Sequence, residues 1–157
     1  MNGNEVLNFF KNHTEMYRQL GGIIAIDQLP WNVNNKQNKI FIVNTDFSFN
    51  RGLHWICIYI SKSTPCEYFD PLGNPPSHYS IELENFLISQ HKKYYQIKRG
   101  IQNQSSISCG KFCLYYAYYR SLECSMTEIL SNFSSNSLTN EFKVTAFYLQ
   151  NLYKKVR

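Results

Sequence analysis

A chain of 157 residues, 43% hydrophobic and 16% aromatic with 12 Tyr and 11 Phe, has about the length of one domain and the side chains for one sizeable core, which excludes a disordered or low-complexity polypeptide. The net charge of +5 is too mild to identify a nucleic-acid or acidic partner, and no apolar run approaches the roughly 20 residues that span a membrane. The five cysteines (Cys57, Cys66, Cys109, Cys113 and Cys124) are odd in number and irregular in spacing, which argues against a disulfide framework and for a reducing compartment. The first residues, Met1-Asn2-Gly3-Asn4-Glu5, have neither the basic and apolar segments of a secretory signal nor the second-position glycine of N-myristoylation. A single domain over residues 1–157, monomeric and without membrane contact, is expected.

In chain order, Val6, Phe9, Phe10, Met16, Tyr17 and Leu20 form a rough helical stripe, predicting a helix over 6–20 that Gly21-Gly22 stops. Residues 23–29 lead irregularly to Pro30-Trp31, and the Asn-rich stretch 32–38 reads as a surface loop. A short β-rich run at 40–44 is followed by a turn region at 46–52 and the clearest strand of the chain, 53–60. After a turn at 62–65 a second strand, 66–69, ends in Asp70-Pro71-Leu72-Gly73-Asn74-Pro75-Pro76. Residues 79–91 predict a helix capped by Ser77 or Ser80, with Ile81, Leu83, Phe86 and Leu87 inward. A strand at 94–97 precedes a buried helix over 109–120, packed through Phe112, Cys113, Tyr116 and Ala117. Two further helices are predicted over 125–132 and 138–156, the last with Phe142, Ala146, Leu149 and Leu152 on one face and a basic end at Lys154, Lys155 and Arg157. The predicted class is α+β, a small central mixed sheet flanked by helices.

Chemistry concentrates at four points. Cys109 follows the polar run Gln102-Asn103-Gln104-Ser105-Ser106-Ile107-Ser108 and opens a helix, where the positive end of the dipole lowers a thiol's pKa. Packing a helix is the ordinary fate of a cysteine, but a polar loop on one side and Gly110 on the other suit a nucleophile. Gly110 would let the backbone approach a substrate carbonyl, so that an amide here donates to the oxyanion. His54 stands at the start of a strand, with Ile56 and Ile58 on its face and Trp55, Cys57 and Tyr59 on the other. A hairpin could return Asp70 to His54, fixing its tautomer and stabilising the imidazolium, although an Asp before Pro is also an ordinary turn residue. Gln102 would donate its side-chain amide to the oxyanion. A metal site from His54, Cys57, Cys109 and Cys113 is disfavoured, because Cys57 should face away from His54 and no Cys-X2-Cys pair exists.

Together, His54-Trp55 in a strand, Phe69-Asp70-Pro71-Leu72-Gly73 after the next strand, and Gln102-X6-Cys109-Gly110 opening a helix resemble the adenovirus-type cysteine protease family (adenain), which belongs with the Ulp/SENP-type SUMO proteases. Ile42-Val43-Asn44-Thr45, the Gly52-Leu53 approach to the histidine, Ser106 and Cys113 fit the same pattern, so the resemblance covers roughly residues 20–120. It implies Cys109 as nucleophile, His54 as base or ion-pair partner, Asp70 as orienting acid and Gln102 as oxyanion donor. Trp55 and Gly110 would line the substrate site. Gln104 is the rival of Gln102; seven residues before the cysteine matches adenain, whereas the SUMO proteases use six, which is Asn103 here.

The resemblance also implies polypeptide substrates, a processing role on structural precursors of a DNA virus or virus-like element, and location in the infected cell, its nucleus or the virion. No metal or organic cofactor is implied. Adenain is activated by a viral peptide held through a disulfide from a cysteine between the acid and the Gln; no Cys lies between Cys66 and Cys109 here, so that attachment has no counterpart. Activation by DNA would fall to Lys92, Lys93, Lys98, Arg99 and the basic C-terminus, for which a solvated face is the ordinary reading. The chain is shorter than a typical adenain, with the missing length expected at the C-terminal side. A ubiquitin- or SUMO-like isopeptidase is the alternative enzyme, and an inactive binding module of the same fold is the alternative of another class.

Overall fold

The computed structural model describes residues 1–33 and 36–153. Its frame is a five-stranded mixed sheet built on two apolar, β-branched runs. Strands β2 (Lys39–Asn44) and β3 (Trp55–Ile60) pair antiparallel, with Ile42 opposite Cys57 and Asn44 opposite Trp55. The antiparallel strand β4 (Cys66–Phe69) follows, then the parallel strand β5 (Tyr94–Gln96). On the far side β1 (Leu20–Ala25) runs parallel to β2, giving the order β1-β2-β3-β4-β5.

Alternation along each strand divides the core between two faces. Ile40, Ile42, Cys57, Tyr59 and Phe69 face one side, packed by helices α1 (Gly3–Lys11), α4 (Cys109–Ser121) and α6 (Ser137–Asn151), with α2 (Thr14–Arg18) and α5 (Met126–Ser131) around them. Phe41, Val43, Ile56, Ile58, Ile60, Cys66 and Tyr68 face the other, against Leu83, Phe86 and Leu87 of α3 (Ile81–His91). Helix α4 lies between sheet and helices and is buried nearly all round; Phe112, Cys113, Leu114, Tyr116 and Ala117 are fully enclosed. A large apolar side chain so placed contributes about 1.5–3 kcal/mol.

Capping sets where the helices begin. Asn2 caps α1 with Glu5 reaching back, Ser80 caps α3, Ser125 caps α5 with Glu128 reaching back, and Asn136 caps α6. Ser108 makes no such bond to α4. The amides at the start of that helix are left to other acceptors.

Several expectations need correction. The helix predicted over 6–20 is two short helices, and Gly21-Gly22, read as its stop, lie inside β1. A Cβ at Gly21 would collide with the Phe41 ring of β2, so this glycine serves close approach within the sheet, beside a register shift between Leu20 and Gly22. Part of the stretch read as irregular, 23–29, is therefore strand. His54 precedes β3 rather than lying in it. Ile81 is 56% exposed, since at 100° per residue it sits opposite Leu83, Phe86 and Leu87. In α6 the buried residues are Asn140, Val144, Phe147 and Asn151, while Phe142, Ala146 and Leu149 are exposed. The two asparagines tolerate burial because Asn140 Nδ2 donates to the carbonyls of Ile101 and Ser134, and Asn151 Nδ2 to that of Phe147. Asn34 and Asn35 of the predicted loop, and Lys154, Lys155 and Arg157 of the basic end, lie outside the described residues. Among the described residues no helix is long and apolar enough to cross a membrane.

Candidate active site

The site forms where β3, β4 and α4 meet. The antiparallel β3–β4 register sets Cys57 opposite Phe69; extended by one pair, it puts Asp70 opposite Ile56, diagonal to His54 and within reach of a long side chain. His54 Nε2 lies 2.7 Å from Asp70 Oδ1, with His54 9% exposed and Asp70 fully buried. The other ring nitrogen is left for Cys109, whose side chain hydrogen-bonds to His54. The three residues named from the sequence thus form one chain, Asp70–His54–Cys109.

The Asp70 carboxylate accepts four hydrogen bonds, which fills its lone-pair sites. Leu72 N–H and His54 share Oδ1, at 2.9 and 2.7 Å. Asn74 N–H and the Tyr79 hydroxyl share Oδ2, at 3.1 and 2.8 Å. The turn that supplies these amides depends on Gly73, whose φ of +77° favours a residue without Cβ and whose amide donates to Asp70 O at 2.9 Å. Gly73 also packs so tightly on Arg99-Gly100 that a Cβ would strike their backbone. Through the same turn the Pro71 carbonyl accepts from the amides of Ile101 and Gln102, at 2.9 and 3.0 Å. The loop that holds the acid therefore also holds the residue predicted to serve the oxyanion.

Gln102 is buried, and its Nε2 donates to the Ser106 carbonyl at 2.9 Å, leaving its second N–H hydrogen for another acceptor. Its Oε1 is buried without a partner. Gln104 is exposed, and Asn103 turns its Oδ1 onto Ser105.

Cys109 is the first residue of α4 and 8% exposed. Burial opposes its ionisation, but the His54 hydrogen bond, the Trp55 and Gly110 amides donating to the sulfur and the His54 charge outweigh it. The thiol is held below the ordinary thiol value. Burial likewise opposes charge on His54, yet hydrogen bonds to Asp70 and Cys109 and their negative charges push it up to about 9. Both shifts run in the direction of a thiolate–imidazolium pair. Cys57 and Cys113 are fully buried with raised pKa values, burial being the first cause of each.

Trp55, half-buried, lines a cleft of about 700 Å³ together with Leu53, Gln102, Ile107 and Cys109. Gly110 departs from the expected open approach: the volume that a Cβ would fill there is occupied by the Met1 side chain. Met1 and Tyr79 are site residues that the sequence did not announce. Tyr79 also stacks on the His54 ring, with centroids 5.7 Å apart. A tyrosine in a Pro-rich turn carries no spacing signal of its own. Among the described residues no group of three or more His, Cys, Asp or Glu is placed to hold a metal ion.

The sequence pattern of the adenovirus endoprotease family matches residues 22–143. A SUMO-1 cysteine protease of African swine fever virus is 29% identical over 115 residues, covering 68% of this chain and 42% of that protein; the chain thus spans less than half the length of the curated relatives it matches. In structure it is similar to ChlaDub1 of Chlamydia trachomatis (TM-score 0.53, 14% identity, 94% of this chain and 75% of that one). It is also similar to the central domain of a Legionella pneumophila protein (TM-score 0.56, 17% identity, 99% and 98%). These two share the α+β fold. With the family pattern extending over most of its length, the chain belongs to the adenovirus endoprotease family of cysteine proteases.

Proposed function

We propose that this chain cleaves peptide bonds with Cys109 as nucleophile, His54 as its proton partner, Asp70 as orienting acid and Gln102 as oxyanion donor. The observation that carries the reading is the buried Asp70–His54–Cys109 chain ending at an uncapped helix N-terminus. The thiolate attacks the scissile carbonyl, and the new oxyanion takes hydrogen bonds from the second Gln102 N–H and the amide of Cys109. His54 then gives its proton to the departing amine. It next takes one from the water that attacks the thioester, and the acid product leaves Cys109 as a thiolate. Asp70 keeps the imidazole in one orientation and stabilises its charged form.

The proposed substrates are polypeptide precursors of a DNA virus or virus-like element, cut in the infected cell or virion. A second reading, removal of a ubiquitin-like protein from a lysine, is favoured by the name of the relative, a SUMO-1 cysteine protease. Labelling with an irreversible thiol-reactive probe, then cleavage of a peptide library, a capsid precursor and SUMO– and ubiquitin–lysine conjugates, tests both. Cys109→Ala should lose labelling and cleavage together. Retained cleavage would assign the nucleophile elsewhere, and no cleavage of any substrate by the unaltered chain would favour a binding module. Adding basic viral peptide or duplex DNA to the same assay measures activation.

A further inference from the structure

Met1 touches both halves of the site. Its carbonyl accepts the Trp55 indole N–H at 3.0 Å. Its side chain is 7% exposed and fills the space over Gly110, where an added Cβ would lie 2.7 Å from its sulfur and 3.3 Å from its Cβ and Cγ. The segment is not loose: Asn2 caps α1, Glu5 returns to the Asn2 amide at 2.6 Å, and Gly3 lies against Ile23 of β1. Met1 is thereby fixed to a helix of the main core, since Val6, Phe9 and Phe10 of α1 are fully buried.

The two residues it braces follow the candidate histidine and the candidate nucleophile in sequence, and their backbone amides are the ones directed at the Cys109 sulfur. Trp55 is held from the inside as well, its carbonyl accepting from the Cys113 thiol at 3.3 Å. Gly110 has no side chain with which to hold itself. We propose that Met1 is a positioning residue of the nucleophile: its carbonyl fixes Trp55 and its thioether fixes Gly110, keeping both amides aimed at the thiolate. This rests on the reading of Cys109 as nucleophile. A hydrogen bond to an anion weakens steeply with misalignment, so loosening either amide destabilises the thiolate relative to the thiol.

The test is the pH dependence of Cys109 alkylation by iodoacetamide, followed by mass spectrometry on the full chain. A removable leader is cut to leave the chosen residue at position 1. In Met1→Gly the midpoint should move upward by about one pH unit, with about a tenfold loss of thiolate below it. Met1→Leu, which keeps bulk and carbonyl, should return the midpoint close to the original. Trp55→Phe removes the indole donor and should shift the midpoint in the same direction. An unchanged midpoint in Met1→Gly overturns the proposal; should Met1→Gly not fold, an unchanged midpoint in Trp55→Phe does so. If Cys109 of the unaltered chain alkylates no faster than Cys124, the nucleophile reading itself fails instead.

Discussion

The Tyr79 hydroxyl donates to Asp70 Oδ2 at 2.8 Å, on the carboxylate oxygen that His54 does not use. The phenol is held in turn by Asn74 Nδ2 at 3.1 Å, and the tyrosine ring stacks on His54. One side chain thus constrains Asp70 and His54 together.

Tyr79→Phe keeps the ring stack and removes one of the four hydrogen bonds on Asp70. Roughly a fivefold to tenfold loss in kcat is expected, about 1–1.4 kcal/mol, with KM nearly unchanged because the phenol faces away from the cleft toward the acid. Tyr79→Ala should lose more, since the stack goes as well. Steady-state kinetics on a peptide substrate reads both; a loss confined to KM would assign Tyr79 to substrate binding instead.

What was legible in the sequence follows from locality. Strand β3 announces itself through an unbroken apolar run, helix α4 through the apolar stretch 112–119, and β4 through a short aromatic segment that ends in a Pro-Gly turn. His54, Asp70 and Cys109 sit where those runs start or stop, while Gln102 lies in the loop before α4 and is brought in through the Pro71 carbonyl. Gly21 misled because its role depends on the Phe41 ring across the sheet, which no local pattern shows. In α6 two apolar stripes compete, and the choice between them is made by Ile101 and Ser134 offering carbonyls to Asn140. Tyr79 and Met1 reach the site only through tertiary approach, so nothing in their neighbours' spacing points to them.

Gln102 and Gln104 separate cleanly by environment. Gln102 is 6% exposed and tied to Ser106 and Pro71, whereas Gln104 is exposed. Gln102→Ala should lower kcat on the order of 10²-fold, the scale of one oxyanion donor. Gln104→Ala should stay within a fewfold of the original. A larger loss in the Gln104 variant would exchange their roles.

At the far end of α4, Arg120 Nε lies 2.9 Å from Glu67 Oε2, the Tyr116 hydroxyl donates to the same oxygen, and the guanidinium lies 4.0 Å from the Tyr59 ring centroid. Both charges are nearly buried, at 9% and 6% exposure. Arg120→Met leaves the Glu67 carboxylate enclosed without its cation, which should cost about 3–5 kcal/mol. Thermal unfolding of Arg120→Met against Arg120→Met/Glu67→Gln checks the cause, because the double variant should recover much of the loss. If both melt alike, the loss comes from the packing of the Arg stem and not from the stranded charge.

The pH profile tests the ion pair itself. With Cys109 held below the ordinary thiol value and His54 pushed up to about 9, thiolate and imidazolium coexist between the two titrations. Activity should rise as Cys109 loses its proton, below the range of an ordinary thiol, and fall as His54 loses its own near pH 9. Because the groups interact, the two limbs report the pair and not either residue alone. Asp70→Asn removes a negative charge that favours protonated His54, so its alkaline limb should move down from about 9 toward the ordinary imidazole value of about 6.5, narrowing the plateau from the alkaline side and lowering its height. Measuring kcat/KM from pH 5 to 10 for both proteins decides the matter. A limb that stays near 9 in Asp70→Asn would mean that Cys109, and not Asp70, holds the proton on His54.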